Sequence, residues 1–183
     1  MDSPVIINGQ RIFGCPKCGL PECSCSKIQV YLAARYSRRL ELCVYRSALE
    51  QMGFMVQARW LNGGHQLDAV GTPIGDSGEA LVEAGGEEAA RLRARFASDD
   101  LEDVVMADLL IAFTEEPRST ATRGGRHVEF GIALAQGKRT LIVGPRENIF
   151  YWLDTVEQVR TWSEALPILQ RTIDGFKALG GAS

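Results

Sequence analysis

The stretch that decides the fold is "RGGRHVEFGIALAQGKRTLIVG", Arg123 to Gly144. Between Arg126 and Lys138 the pattern predicts a helix that is apolar almost all round, and such a helix is normally buried. The run that follows, "TLIVG" (Thr140 to Gly144), has the length and apolar character of a buried strand. The helix nevertheless carries a carboxylate, Glu129, which we expect in its first turn just behind two glycines.

The segments on either side alternate between strand and helix patterns. The predicted strands are "IQVYLAA" (Ile28 to Ala34), "FMVQARW" (Phe54 to Trp60), "LLIAF" (Leu109 to Phe113) and "VRTW" (Val159 to Trp162), and helices are predicted at 37–52, within 87–108 and around 166–179. This alternation, with near-continuous apolar strands in the later half, indicates a parallel sheet covered on both faces. We therefore predict a doubly wound α/β domain, flavodoxin-like or Rossmann-like, with a parallel sheet of about five strands.

The bulk properties restrict the class of protein. The 183 residues, 45% of them hydrophobic and 23% charged, suit one ordinary globular domain. We expect a cysteine-rich segment at 1–26, outside the core, and the α/β domain at 27–183. The net charge of −3 gives no basis for nucleic-acid binding through a basic surface. We also expect a cytoplasmic protein, because the sequence has neither an apolar run of membrane-span length nor a signal-peptide pattern.

The N-terminal segment contains four crowded cysteines in a C-x2-C pair followed by a C-x-C pair: Cys15, Cys18, Cys23 and Cys25. Four thiolates can complete a tetrahedral structural zinc site. The alternative is a set of reduced free thiols on a tail, and the number of ligands favours zinc. Cys43 stands alone in a helical pattern and is expected to be a small buried residue.

The position of Glu129 has two interpretations. Doubly wound sheets bind ligands at the carboxyl ends of their strands, where the winding reverses. Glu129 follows the third predicted strand at that edge. It is either a charge placed to suit the helix dipole, worth roughly 0.3–1 kcal/mol, or a carboxylate at the floor of a ligand cleft. In the second case Gly125, beside Gly124, lets the backbone approach the ligand closely. The residues alone leave both interpretations open.

Further acidic residues precede the third strand. We expect Glu102 and Asp103 on a solvated helix face. Asp100 and Asp108 are the better functional candidates, because Asp108 abuts the strand and Asp100 lies two helical turns earlier. Two carboxylates beside a sugar can divide the roles of nucleophile and proton donor.

Three stretches together resemble a known family: "VYLAARYS", "DDLEDVVMADLLIAF" and "GGRHVEFGIALAQGKRTLIVG". In order and spacing they are similar to the nucleoside 2-deoxyribosyltransferases and the related 2'-deoxynucleoside 5'-phosphate N-hydrolases, over roughly Ile28 to Gly144. The most specific element is G-x-x-x-E-x-G-x-A-x-x-x-G-K, present from Gly125 to Lys138.

The resemblance implies roles for individual residues. Glu129 would attack the anomeric carbon of a 2-deoxyribosyl group, Asp100 would contact the reacting sugar or base, and Tyr31 would line the pocket. Catalysis of this kind needs no metal ion or redox cofactor. One position departs from the pattern, because Arg123 stands where the transferases often carry an aspartate and the hydrolases a serine.

The expected partners are a deoxynucleoside or deoxynucleotide and a free base. After the first strand, Arg35, Ser37 and Arg38 are candidates for holding a 5'-phosphate. The alternative is that Arg38 and Arg39 only solvate the start of a helix. Asp108 and Gly125 complete the expected substrate-binding set. Asn148 has the residue type that reaches a neighbouring subunit's site in the family, so a homodimer or larger homo-oligomer is expected.

Two questions stay open at this level. The sequence does not decide between transfer to a second base and hydrolysis by water. The sequence also leaves open a function of a different class, in which the same fold serves as a non-catalytic module that binds a nucleotide or mediates an interaction through zinc.

Overall fold

The computed structural model describes residues 5–7, 10–12, 27–63, 87–116 and 124–178. The strands are β1 (Val5–Ile7), β2 (Gln10–Ile12), β3 (Gln29–Ala33), β4 (Met55–Val56), β5 (Leu109–Phe113), β6 (Arg139–Val143) and β7 (Val156–Val159). The α-helices are α1 (Arg39–Met52), α2 (Glu87–Met106), α3 (Gly125–Ala135) and α4 (Trp162–Ala178). Single 3-10 turns lie at Tyr36–Arg38, Arg59–Asn62 and Ile149–Trp152.

Five strands form a wholly parallel sheet in the order β4-β3-β5-β6-β7. Within this sheet the chain enters at β3, goes to one edge at β4, and then returns past β3 to form β5, β6 and β7 on the other side. This is the flavodoxin-like order, with the reversal of winding between β3 and β5. The predicted doubly wound α/β fold with a five-stranded parallel sheet is therefore confirmed.

The core lies between this sheet and its helices. Every residue of β3 and β5 is buried, as expected for strands covered on both faces. Crossovers between parallel strands are generally right-handed, and because the chain reverses direction after β4, this rule places α1 on one face and α2 on the other. On the first face Trp162 of α4 stacks on Tyr45 of α1, with ring centroids 4.5 Å apart. On the second face α2 contacts α3, so the two helices that carry the predicted carboxylates are neighbours.

Two predicted strands are shorter than their patterns suggested. The run 54–60 is a strand only at Met55–Val56, because Trp60 turns into the core in a 3-10 turn and its indole Nε1 donates to Leu32 O at 2.9 Å. The strand predicted at 159–162 ends at Val159. Residues Thr161 and Glu164 instead make the hydrogen bonds of a helix start, so α4 begins at Trp162.

Helix α3 differs from its prediction in two respects. It is not buried all round, since Phe130 and Ala133 face the core while Val128 is 64% exposed. Glu129 is not in the first turn: the helix begins at Gly125, after Gly124 with a left-handed φ of +78°, so Glu129 is its fifth residue. The helix dipole therefore gives little stabilisation to a charge on Glu129, because the dipole's effect is concentrated in the first turn.

Part of the N-terminal segment is ordered into secondary structure that the sequence patterns missed. Strands β1 and β2 pair antiparallel, with Val5 opposite Ile12. The four cysteines proposed to bind zinc lie outside the described residues, so the zinc site and the division at residue 26 stay predictions. Within the described ranges, no helix has the length and apolar character needed to cross a membrane.

Candidate active site

Three ionisable side chains from three different elements meet on the α2/α3 side of the sheet. Tyr31 comes from the middle of β3, Asp100 from α2 and Glu129 from α3. The charges of Glu129 and Asp100 both act on the Tyr31 hydroxyl, and Asp100 acts on Glu129. The structure therefore brings together the three residues that the resemblance implies as nucleophile, assisting acid and pocket wall.

The carboxyl group of Glu129 is difficult to ionise. Burial raises its pKa to about 8, and the negative charge of Asp100 adds to the rise. A hydrogen-bonding interaction with Tyr31 and the positive charge of Arg126 oppose it. A strongly perturbed carboxyl group beside a second one at the ligand-binding edge is typical of a functional site.

The pKa of Asp100 is raised as well. Burial raises its pKa to about 7, the neighbouring charges of Asp103 and Asp99 contribute, and Arg59 lowers it. The pKa of Tyr31 is raised well above its usual value, first by burial and then by Glu129. Its hydroxyl is buried without a partner of good hydrogen-bond geometry among the described residues. It is a polar atom directed at the carboxyl pair.

Arg59 holds the segment of α2 that carries Asp100. Its backbone N–H and its Nε donate to the two oxygens of Asp103, at 2.7 and 2.9 Å. Its other nitrogens reach Asp99 and Glu102. The expectation that Asp103 lies on a solvated face is wrong, because its side chain is only 1% exposed and Arg59 neutralises it there.

Three further predicted residues lie near the carboxyl ends of the strands. Arg35 and Ser37 follow β3 directly, and Gly125 opens α3. One guanidinium nitrogen of Arg35 lies 3.5 Å from Glu115, which follows β5. Ser37 is exposed. Gly125 is exposed too, and an added Cβ would meet no described atom within 4 Å.

The structure does not bring Asp108 to this edge. Asp108 precedes β5 and therefore lies at the amino end of the strand, with its carboxylate accepting from the Gln29 N–H at 3.0 Å. It fastens the start of β3 to the start of β5. Strand β5 separates Asp108 from the loops at the carboxyl edge, and its expected substrate-binding role stays a prediction.

Asn148 is engaged within its own chain. Its side-chain oxygen accepts from Phe150 N at 2.9 Å and caps a 3-10 turn, while its nitrogen lies 3.2 Å from His127 Nδ1. A contact with a second subunit's site stays a prediction.

Sequence patterns missed one buried ion pair beside the site. Arg126 in the first turn of α3 binds Glu147 in the loop after β6, through Nε at 3.0 Å and Nη2 at 2.7 Å to the same oxygen. The two side chains are only 5% and 7% exposed. They are 21 residues apart, and no local period or motif links two such positions.

The fold and these side chains define a flavodoxin-like α/β protein with a partly buried carboxyl pair and a buried tyrosine hydroxyl near its ligand-binding edge. Such a pair can supply one group as a nucleophile and the other as a proton donor.

Comparison with protein-family models and with curated proteins finds no match. Among solved structures, the chain is similar to the Clostridium botulinum CMP N-glycosidase BcmB, at 17% identity and a TM-score of 0.44. The similarity covers 79% of this chain and 97% of that one. A likeness of this size assigns neither family nor function.

Proposed function

We propose that this protein breaks the N-glycosidic bond of 2'-deoxynucleosides or their 5'-monophosphates through a covalent deoxyribosyl intermediate on Glu129. One observation carries the proposal: the partly buried carboxyl group of Glu129 lies beside Asp100 and Tyr31, the residues to which the resemblance assigns roles. A solvated charge at a helix start would need no such neighbours.

The chemistry follows from the shared proton. With pKa values of about 8 and about 7, the two carboxyl groups together hold about one proton between pH 7 and 8. In the productive form Glu129 is ionised and Asp100 is protonated. A Glu129 oxygen attacks C1' as the C1'–N bond breaks, and the departing base takes both bonding electrons and the proton of Asp100. The Tyr31 hydroxyl stabilises the ionised Glu129 by hydrogen bonding.

The second step regenerates the enzyme. A water molecule or the nitrogen of a second base attacks C1', the ester bond to Glu129 breaks, and Asp100 accepts the proton of the attacking group. These residues supply both nucleophile and acid, so the proposed reaction uses no metal ion or redox cofactor. The four N-terminal cysteines are proposed to bind a structural zinc ion.

Arg35 and Ser37 support a nucleotide donor. Both directly follow β3 near the carboxyl edge, where a 5'-phosphate would gain from a guanidinium and a hydroxyl. A homodimer is proposed on the resemblance, with Asn148 as the residue that contributes to the partner's site.

The experiment is a chromatographic assay of a panel of deoxynucleosides and deoxynucleoside monophosphates, with and without an acceptor base. Free base without acceptor indicates hydrolysis, and a new nucleoside formed only with acceptor indicates transfer. Glu129→Gln should abolish either product, while the exposed Glu50→Gln should not. Ligand binding without turnover of any donor would contradict the proposal and favour the non-catalytic module.

A further inference from the structure

The buried pair of Arg126 and Glu147 fixes the first turn of the helix that carries Glu129. Helix α3 has no side-chain cap: Gly124 occupies the N-cap position and offers none. Arg126 instead ties the first turn to the loop after β6 by three hydrogen bonds to Glu147, from Nε to one carboxylate oxygen and from Nη2 to both. Arg126 lies three residues before Glu129, and residues at that spacing share one face of a helix.

Glu147 is itself held at the edge of the sheet. Its Oε1 accepts from the Glu115 N–H at 2.7 Å, just after β5. Its Oε2 lies 3.6 Å from His127 Nε2. Burial, and then the charge of Arg126, lower the pKa of His127, while the charge of Glu147 acts to raise it. One carboxylate therefore links the ends of β5 and β6 to two residues in the first turn of α3.

The partners of His127 complete this arrangement. Its Nδ1 lies 2.9 Å from the Tyr151 hydroxyl and 3.2 Å from the side-chain nitrogen of Asn148. An Nδ1 that accepts from Asn148 leaves the imidazole proton on Nε2, facing Glu147. The first turn of α3 is thus attached to the segment after β6 by the ion pair of Arg126 with Glu147 and by the hydrogen bonds of His127.

We propose that Glu147 is a positioning residue for the reaction: through Arg126 it sets the place and the electrostatic surroundings of the Glu129 carboxyl group. This inference rests on the proposed function of Glu129 as nucleophile. The effect of Glu147 does not depend on substrate, because Glu147 determines how strongly the positive charge of Arg126 acts on the Glu129 carboxyl group.

The charged and titratable groups facing Glu129 come from three elements. Tyr31 belongs to β3, Asp100 to α2, and Arg126 to α3 itself. Arg126 favours the ionised form of Glu129, and Glu147 partly neutralises Arg126. Removing the charge of Glu147 should therefore lower the pKa of Glu129. Replacing Arg126 by lysine keeps the charge but loses the bidentate geometry.

The test uses the full chain with 13C-labelled glutamate side chains. NMR titration, with Glu129→Gln assigning the signal, gives the pKa of Glu129 without any substrate. We expect Glu147→Gln to lower that pKa by about 0.5–1 unit and kcat by about 10-fold or more, with KM changed less than threefold. Arg126→Lys should lower kcat similarly with a smaller pKa change. The exposed pair Arg139–Glu157 supplies the matched controls, Glu157→Gln and Arg139→Lys, which should change neither quantity.

Amide spectra establish that each variant is folded. If Glu147→Gln unfolds because it leaves Arg126 buried and unpaired, the double variant Arg126→Gln/Glu147→Gln removes both charges and is measured instead. Its kcat should fall about 10-fold. A folded variant whose Glu129 titration and kcat both match the wild type overturns the inference. A shifted titration in a protein that turns over no donor would overturn the proposed function and leave the positioning role supported.

Discussion

Asp100 of α2 raises the pKa of Glu129 of α3, although the two carboxyl groups are separated in the chain by strand β5 and the loop that follows it. The contact between α2 and α3 on one face of the sheet brings them together. Tyr31 from β3 acts in the opposite direction and lowers the pKa of Glu129. Removing either neighbour should therefore move the ionisation of Glu129 in a predictable direction.

Asp100→Asn removes a negative charge from the surroundings of Glu129. We expect the acidic limb of the kcat/KM profile to move to lower pH, because ionised Glu129 no longer faces Asp100. The rate at the optimum should fall by about 10²-fold or more, since the proton donor is lost. Base release measured between pH 5 and 9 checks both effects. The exposed Asp154→Asn is the control, and a limb that stays in place would contradict the coupling of the two groups.

Tyr31→Phe removes the hydroxyl that favours the ionised form of Glu129. The acidic limb should move to higher pH, the opposite of the Asp100→Asn result. At pH 5, where Glu129 is protonated, the free energy of unfolding should stay the same or rise slightly, because the buried hydroxyl then has no partner of good geometry to lose. pH–rate profiles and urea unfolding measure the two effects. Tyr45→Phe, on the other face of the sheet, should leave the limb unchanged, and a limb of Tyr31→Phe that moves to lower pH would contradict the assignment.

Glu129→Gln should stabilise the protein at alkaline pH. The folded-state pKa of about 8 lies above the usual value of 4.5, so the ionised carboxyl group destabilises the fold progressively as the pH rises through this window. The variant lacks this penalty. We expect a gain on the order of 5 kcal/mol well above pH 8, at about 1.4 kcal/mol for each pH unit between 4.5 and 8, and almost none near pH 4.

Thermal unfolding of Glu129→Gln and wild type across this pH range measures the difference, with Glu50→Gln as the exposed control. A gain that does not depend on pH would show that the carboxyl group is not strained by burial.

Arg59→Ala should destabilise the protein by about 2–4 kcal/mol, because it leaves the buried Asp103 carboxylate with only one of its two donors. Arg139→Ala breaks an exposed ion pair of similar geometry and should cost at most about 1 kcal/mol. Urea unfolding at pH 7.5 compares the two. An equal decrease in the free energy of unfolding for the two variants would show that Arg59 contributes no more than an exposed surface charge.

Gly144→Ala should destabilise the protein by about 2–3 kcal/mol. An added Cβ would lie 2.5 Å from Thr114 Oγ1 and 2.7 Å from Thr114 O, and the residue has a φ of +128°. The matched control is Gly131→Ala on α3, where nothing described lies within 4 Å of the new Cβ. That substitution should stabilise by about 0.5–1 kcal/mol, because alanine is the better helix former. A loss for Gly131→Ala larger than that for Gly144→Ala would contradict this packing.

The sequence by itself determined the alternation of strands and helices, and with it the class of sheet. Hydrophobic period is a local property, so β5, β6 and α1 lie close to their predicted positions. Boundaries that depend on distant partners were less well predicted. Trp60 ends a strand pattern early because its indole donates to Leu32, on another strand.

The motif similarly placed Glu129 and Asp100 among the candidates, but their proximity and their raised pKa values arise only when α2 packs on α3. The sequence made Asp108 a candidate alongside Asp100, and the direction of β5 decided that Asp108 lies at the amino end of the sheet. The pair of Arg126 and Glu147 gave no sequence signal at all. The sequence itself determines residue types and local hydrophobic periods. Tertiary packing determines which side chains are buried, which charges interact, and at which edge of the sheet a side chain lies.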